Sequence, residues 1–134
     1  MPGAPVLDSH ALLAMLRDEP GGEAVVRLLE RANQRNLPLQ MTEVNYAEVQ
    51  YMIRRKDGGA AWTVVAGELK AAPIVFHPAT RRLADLAADF KARFKMSLAD
   101  AFAAALAKEQ KAELVTGDLE FKPLEKEIKI HWLK

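Results

Sequence analysis

Short runs of apolar residues alternate along this chain with longer stretches in which apolar residues recur at the spacing of a helix. The short runs predict strands that end at Leu7 and lie within residues 37–41, 73–77, 112–118 and 127–133. The longer stretches predict helices within residues 11–19, 21–36, 43–56, 60–70, 79–94 and 98–110. Because long helices separate most of the strands, we expect a mostly parallel sheet with helices on both faces.

Two of these elements are predicted to be buried. The segment "PIVFH" (73–77) carries three consecutive β-favouring apolar residues, which is typical of a buried strand. Residues 98–107 are all Ala, Leu or Phe except Asp100, so this helix reads as apolar on every side. A helix of that kind is expected at the centre of a domain, with Asp100 in its first turn.

The composition is that of a globular protein. Of 134 residues, 50% are hydrophobic and 28% are charged, which suits one domain spanning residues 1–134. The absence of cysteine excludes disulfides, thiolate nucleophiles and Cys-ligated metal sites. The stretch "MPGAPVLDSHALLAML" lacks the basic start and unbroken apolar run of a signal peptide, and no stretch is apolar enough to span a membrane. We therefore expect a soluble, cytoplasmic protein.

Two aspartates follow predicted strands. Asp8 ends the first strand, and Asp118 follows Leu114 and Val115 after a turn. In open parallel sheets, ligands bind beyond the carboxyl ends of the strands, so polar residues there are candidates for a site. Aspartate is also a common turn and N-cap residue, and this simpler explanation remains open for both.

Two further acids lie on predicted helices. In the helix that begins near Glu43, we take Val44, Ala47, Tyr51 and Met52 as the apolar stripe, which places Glu48 with it. A buried carboxylate needs a partner, which is a metal ion, backbone donors or an arginine in an intramolecular salt bridge. Asp100 lies three residues after Ser97, so it is either a member of a site or the acid of a capping box.

If these acids converge, they require a cation, because crowded carboxylates repel one another and raise one another's pKa. Oxygen ligands without Cys or clustered His favour a hard ion, Mg²⁺ or Mn²⁺. Such ions serve phosphodiester cleavage by activating a water molecule and stabilising the departing oxygen.

Four segments occur in order along the chain: "VLDSHALLAML", "TEVNYAEV", "SLADAFAAALA" and "LVTGDLEF". With these motifs at these intervals, the sequence resembles the PIN domain superfamily, and within it the VapC-type toxins of toxin-antitoxin pairs. The likeness covers essentially the whole chain. It implies a three-layer α/β/α fold with a central, mostly parallel five-stranded sheet and acids gathered at one end.

The resemblance also implies roles for individual residues. The catalytic and metal-binding acids of the family match, in order, Asp8, Glu48, Asp100 and Asp118. This match supports Glu48 over Glu43. Ser9 and Thr116 match hydroxyl residues that hold the acids or bound water, and Glu120 lies where many relatives carry a second acid. His10 stands where Ser or Asn is more usual, and we assign it a structural role.

The function that the resemblance implies is a Mg²⁺- or Mn²⁺-dependent endoribonuclease, the toxin of a VapBC-type system that inhibits translation or growth. Its partners are then RNA, a cognate antitoxin protein and a second copy of the chain, with no membrane. Two alternatives remain: a PIN nuclease acting on DNA or structured RNA, and a non-catalytic PIN module that binds a partner. Basic residues such as Arg54 and Arg55 are either phosphate contacts or solvated surface.

Overall fold

The structure of this chain, a computed structural model, describes residues 3–133. Its strands are β1 (Val6–Leu7), β2 (Leu39–Thr42), β3 (Ile74–His77), β4 (Leu114–Thr116) and β5 (Ile130–Trp132). Its α-helices are α1 (Ser9–Leu16), α2 (Gly22–Arg35), α3 (Glu43–Asp57), α4 (Gly59–Ala71), α5 (Arg81–Arg93) and α6 (Leu98–Gln110). Each predicted strand and helix is therefore present. The 3₁₀ helix at Leu119–Leu124 was not predicted.

The strands form one sheet in the order β3-β2-β1-β4-β5, and every neighbouring pair is parallel. β1 lies at the centre, where Val6 pairs with Gln40 of β2 and Leu7 pairs with Val115 of β4. Because the two strands run in the same direction, the residues that follow Leu7 and Thr116 emerge side by side. Asp8 and Asp118 are among them.

Alternate side chains of β1 and β4 face opposite layers of helices. Val6 and Leu114 belong to a core cluster built with α5 and α6, whereas Leu7 and Val115 belong to a cluster built with α1 and α2. A further cluster packs α3 and α4 around Met41 of β2. The predicted three-layer α/β/α fold with a parallel five-stranded sheet is therefore confirmed.

Helix α6 is the central helix that its composition predicted. Ala99 and residues 101–107 are buried, and the Ala residues let the helix approach β1, β2 and β4 closely. The exception is Leu98, which is 53% exposed at the first position of the helix. The prediction that the run is buried from Leu98 onwards is therefore wrong at that residue.

Strand β3 is less buried than predicted. Among residues 3–133 it lies at the edge of the sheet and pairs with β2 alone, and Val75 is 46% exposed. Ile74 and Phe76 pack against the core cluster of α3 and α4, whereas Val75, between them, faces the opposite side of the sheet, so a continuous apolar run does not by itself indicate a strand covered on both faces. Within residues 3–133, no helix has the length and apolar character needed to cross a bilayer.

Candidate functional site

Asp8 is held at the junction between β1 and α1. Its Oδ1 accepts a hydrogen bond from the backbone N–H of Ala11 at 2.8 Å, so it caps the N-terminus of α1. Its Oδ2 accepts a hydrogen bond from the hydroxyl of Thr116 at the end of β4. The side chain is only 1% exposed. Asp8 is thus an N-cap residue, as the simpler explanation required, but with a second oxygen fixed by a distant strand.

The electrostatic environment of Asp8 opposes its ionisation. Burial raises its pKa from the ordinary 3.8 to about 7, although the hydrogen bonds from Thr116 and Ala11 act in the opposite direction. The charges of Asp100 and Asp118 raise this pKa further. The acids on α6 and in the turn after β4 therefore act on Asp8 through their charges.

Asp118 lies half-buried in the turn after β4. Its backbone N–H donates a hydrogen bond to the Thr116 hydroxyl oxygen at 3.0 Å. Its Oδ1 accepts one from the N–H of Glu120 at 2.9 Å, which caps the 3₁₀ helix. One carboxylate oxygen of Asp118 is therefore used locally, and this leaves Oδ2 for other contacts.

Asp100 lies in the first turn of α6. Ser97 caps this helix by accepting a hydrogen bond from the Asp100 N–H at 3.1 Å. The return bond of a capping box, from the Ser97 N–H to the Asp100 carboxylate, is not formed in the described structure. The backbone bond that defines a capping box is therefore missing for the Asp100 side chain, which keeps this acid a candidate for a site.

The charges around Asp100 come from the other candidate acids. Burial raises the pKa of Asp100 to about 6, and a side-chain hydrogen bond with Ser97 acts in the opposite direction. The negative charges of Asp118, Glu48 and Glu120 raise this pKa further. Since repulsion of this kind falls off with distance, the acids in the turn after β4, on α3 and on α6 belong to one region of the molecule.

Glu48 lies half-buried on α3, and of the stripe predicted for this helix Val44 and Met52 pack against the core, whereas Ala47 and Tyr51 were assigned wrongly. The buried face consists of Asn45, Val49 and Ile53, whereas Ala47 is exposed and Tyr51 is 46% exposed. Glu48 is at the edge of the true buried face, one turn after Asn45. Within residues 3–133 it forms no salt bridge, so the alternative of an intramolecular ion pair is not realised.

Asn45 is the residue of this region that the sequence analysis missed. It is fully buried, and its amide Nδ2 donates to the Ser9 hydroxyl at 3.0 Å and to the Ala99 carbonyl at 3.1 Å. Ser9, itself buried, therefore contacts α3 through Asn45. The detectable signal was spacing, because an Asn four and eight residues before Val49 and Ile53 lies on their face of the helix.

Two further residues flank the acids. Glu120 is exposed. Its backbone N–H donates a hydrogen bond to Asp118, and its negative charge raises the pKa of Asp100. His10 is exposed beside Gly117, where a Cβ atom would lie 2.6 Å from the imidazole Cε1. Only glycine therefore leaves room for the ring in its present position.

The donor set suits a hard divalent cation, although the side chains are not already gathered around one. Among residues 3–133, no group of three or more His, Asp or Glu side chains is placed to hold a metal ion. The chemistry nevertheless fits, since Asp8, Asp100, Asp118 and Glu48 offer only oxygen atoms. Their mutual repulsion is also what a bound cation would relieve.

Comparison with known proteins places this chain in a family. The sequence profile described as PIN domain matches residues 6–127. The chain belongs to the PIN domain family. Among curated proteins, none matches this PIN domain by sequence.

Solved structures share the fold of this PIN domain. It superimposes on a chain of VapBC2 from Rickettsia felis, bound to a promoter DNA fragment, with a TM-score of 0.78 and 13% identity, covering 98% of this chain and 99% of that one. For DNA-bound VapBC from Salmonella typhimurium the TM-score is 0.74 at 17% identity, covering 96% and 97%. For VapC20 of Mycobacterium tuberculosis, a sarcin-ricin loop cleaving toxin, it is 0.70 at 15% identity, covering 90% and 94%.

Proposed function

We propose that this PIN domain is a Mg²⁺- or Mn²⁺-dependent endoribonuclease and acts as the toxin of a VapBC-type toxin-antitoxin pair. One observation carries the proposal: at the carboxyl ends of β1 and β4, the charges of Asp100 and Asp118 raise the pKa of the buried Asp8, and those of Asp118 and Glu48 raise the pKa of Asp100. That edge of the sheet is where parallel α/β folds bind ligands. The likeness in fold to chains of VapBC complexes and to a sarcin-ricin loop cleaving toxin supports the substrate class and the antitoxin partner.

The four acids would hold the divalent ion, and the ion would supply activation of water and stabilisation of the departing oxygen. The chain itself holds the carboxylates of these acids in position. Thr116 and the Ala11 N–H fix both oxygens of Asp8, and Glu120 fixes one oxygen of Asp118. Asp100 is placed by the capped first turn of α6, whose N-terminal dipole favours its ionised form.

The proposal includes two protein partners and a cellular setting. A cognate antitoxin covers or blocks the acidic site, two copies of the chain form a homodimer, and the protein works in the cytoplasm, where its RNA substrate is found. Cleavage of that RNA inhibits translation or growth.

Digestion of labelled single-stranded RNA and single-stranded DNA, side by side in Mg²⁺, Mn²⁺ or EDTA, tests the proposal. We expect RNA cleavage that EDTA abolishes, and loss of cleavage in Asp8→Asn and Asp100→Asn with the circular dichroism spectrum unchanged. Asp85→Asn, an exposed position on α5, is the matched control and should cleave like the wild type. If Asp100→Asn cuts RNA at the wild-type rate, the assignment is wrong.

A non-catalytic PIN module is the second candidate, and one observation favours it: the acidic side chains are not gathered into a ligand group among the described residues. Calorimetric titration with Mn²⁺ separates the two. A PIN nuclease binds the ion with Asp8 and Asp100 in place and loses this binding when either is changed to Asn, whereas a binding module shows no heat with any variant. Cleavage of DNA in preference to RNA would instead support the DNA nuclease alternative.

A further inference from the structure

The amide of Asn45 joins three segments of the chain that carry candidate acids. It lies on α3, one turn before Glu48. Its Nδ2 donates to the hydroxyl of Ser9, the residue after Asp8, and to the carbonyl of Ala99, the residue before Asp100. One side chain thus contacts the immediate neighbours of two acids and shares a helix with a third.

The orientation of this amide is determined by its partners. The Ala99 carbonyl can only accept a hydrogen bond, so the NH₂ group of Asn45 must point toward it. The Asn45 Oδ1 then accepts from the hydroxyl of Thr42, whose oxygen also accepts from the Asn45 backbone N–H at 2.9 Å. Both amide hydrogens and the amide oxygen are therefore used, and the side chain has no freedom to turn.

The hydrogen bonds of the Asn45 amide are made between buried groups. Asn45 and Thr42 are 0% exposed and Ser9 is 4% exposed, so water does not compete for their hydrogen bonds. If the amide is removed, three buried groups lose a hydrogen-bond partner: the Ser9 hydroxyl, the Thr42 hydroxyl and the Ala99 carbonyl. The hydrogen bonds that join α3 to the start of α1 and to the start of α6 through this side chain are then lost.

We propose that Asn45 is a positioning residue that sets the spacing of Asp8, Glu48 and Asp100 and thereby the affinity of the acidic site for a divalent cation. The inference rests on the proposed function, since it takes these acids as the ligands. Asn45 does not itself touch the ion. Its effect passes through Ser9, Ala99 and the first turns of α3, in the way that partners of metal ligands orient them in known sites.

The experiment compares Asn45→Ala with Val49→Ala. Val49 lies on the same face of α3, one turn further on, is equally buried at 0% exposure and belongs to the apolar core away from the amide network. Mn²⁺ affinity is measured by calorimetry and by the electron paramagnetic resonance signal of free Mn²⁺, alongside thermal denaturation. We expect Asn45→Ala to weaken Mn²⁺ binding by about 10- to 100-fold, and Val49→Ala to change it by less than about twofold despite a comparable loss of stability.

A second pair of variants covers the case in which Asn45→Ala does not fold. Thr42→Val removes the hydroxyl that orients the Asn45 amide, whereas Thr42→Ser keeps it. We expect Thr42→Val to weaken Mn²⁺ binding by about tenfold. Thr42→Ser should bind Mn²⁺ with an affinity within about twofold of the wild type. RNA cleavage at saturating RNA and limiting Mn²⁺ should show the same order.

Several outcomes overturn the inference. Asn45→Ala binding Mn²⁺ like the wild type overturns it, and so does an equal loss in Val49→Ala, because general destabilisation then explains both. Equal binding by Thr42→Val and Thr42→Ser does the same. If the wild-type protein itself neither binds Mn²⁺ nor cleaves RNA, the proposed function fails and the positioning role fails with it; a wild type that does both while Asn45→Ala is unchanged overturns only the positioning role.

Discussion

The hydroxyl of Thr116 donates a hydrogen bond to Oδ2 of Asp8, 2.5 Å away and 108 positions earlier in the chain. The same hydroxyl oxygen accepts a hydrogen bond from the backbone N–H of Asp118. Both Thr116 and Asp8 are buried, and their strands pair in parallel at the centre of the sheet. One hydroxyl therefore orients an acid at the end of β1 and the turn that carries an acid at the end of β4.

Thr116→Val keeps the shape of the side chain and removes this hydroxyl. The hydrogen bond lowers the pKa of Asp8, so its loss raises that pKa and leaves the N–H of Asp118 without its partner. We expect Mn²⁺ affinity to fall by about 10- to 100-fold at pH 7.5 and the free energy of unfolding to fall by about 1–3 kcal/mol. Thr116→Ser retains the hydroxyl and serves as the control in calorimetry and thermal denaturation. Equal Mn²⁺ affinity in the two variants would contradict this assignment.

Asp8→Asn should stabilise the metal-free protein, and the gain should depend on pH. Folding raises the pKa of Asp8 from 3.8 to about 7, so its ionisation penalises the folded state. The penalty is absent below pH 3.8, grows as the pH rises toward 7 and is complete above 7. Asparagine avoids it and still caps α1. We expect a gain of the order of a few kcal/mol at pH 8, and less at pH 5.

Thermal denaturation in EDTA at pH 5 and pH 8 measures this difference, and Asp85→Asn gives the effect of removing an exposed charge. In saturating Mn²⁺ the order should reverse, because binding stabilises the wild type by mass action and Asp8→Asn has lost a ligand. A variant that is less stable than the wild type in EDTA at pH 8 would show that the buried carboxylate is not a source of instability.

The order and type of the elements were predictable from the sequence because spacing is a local property. The buried helix α6 and the strand ends at Asp8 and Asp118 follow directly from apolar runs and turn residues. The edge position of β3 and the exposure of Val75 were not predictable, because a local apolar run does not show which strands pair with it or which elements cover each of its faces.

The face of α3 was assigned wrongly for a different reason. Hydrophobicity treats Asn45 as a solvent-facing residue, whereas its amide is fully hydrogen-bonded by Thr42 at the start of its own helix and by Ser9 and Ala99 from two distant segments. Tyr51, by contrast, lies on the surface. A buried polar network cannot be inferred from one helix, because its partners come from other parts of the chain. The assignment of the acids themselves remains a prediction.

Gly22 and Gly67 form a matched pair for testing how α1 is held in place. A Cβ atom at Gly22 would lie 2.5 Å from the Ala14 carbonyl oxygen, so α2 approaches the backbone of α1 too closely for alanine. Gly67, in the middle of α4, has open space around it. We expect Gly22→Ala to destabilise the protein by about 1–3 kcal/mol and Gly67→Ala to stabilise it by about 0.5–1 kcal/mol. Chemical denaturation measures both, and a stabilising Gly22→Ala would contradict the close approach.

The C-terminal half of α3 carries a groove lined by basic side chains. Arg54 and Arg55 are exposed and line a groove of about 490 Å³ with Ala47, Gln50 and Tyr51. The Arg55 guanidinium lies 5.1 Å from the centre of the Tyr51 ring, and Tyr51 is one turn after Glu48. If the proposed RNA substrate occupies the acidic site, we expect it to continue along this face, with phosphates on the arginines.

If RNA follows that path, changing Arg54 and Arg55 together to Ala should weaken binding at low salt and flatten its salt dependence. Each lost phosphate contact with a single strand reduces the magnitude of the negative slope of log K against log salt by about 0.7. Loss of both contacts therefore reduces it by about 1.4. Fluorescence anisotropy of labelled RNA, measured across a KCl series in the Asp100→Asn background, avoids cleavage during the titration. Arg27→Ala, an exposed arginine on α2 beside Glu23, is the control and should keep the wild-type slope. An unchanged slope in the double variant would place the RNA elsewhere. It would mean that Arg54 and Arg55 release no counterions from the RNA and therefore do not contact its phosphates.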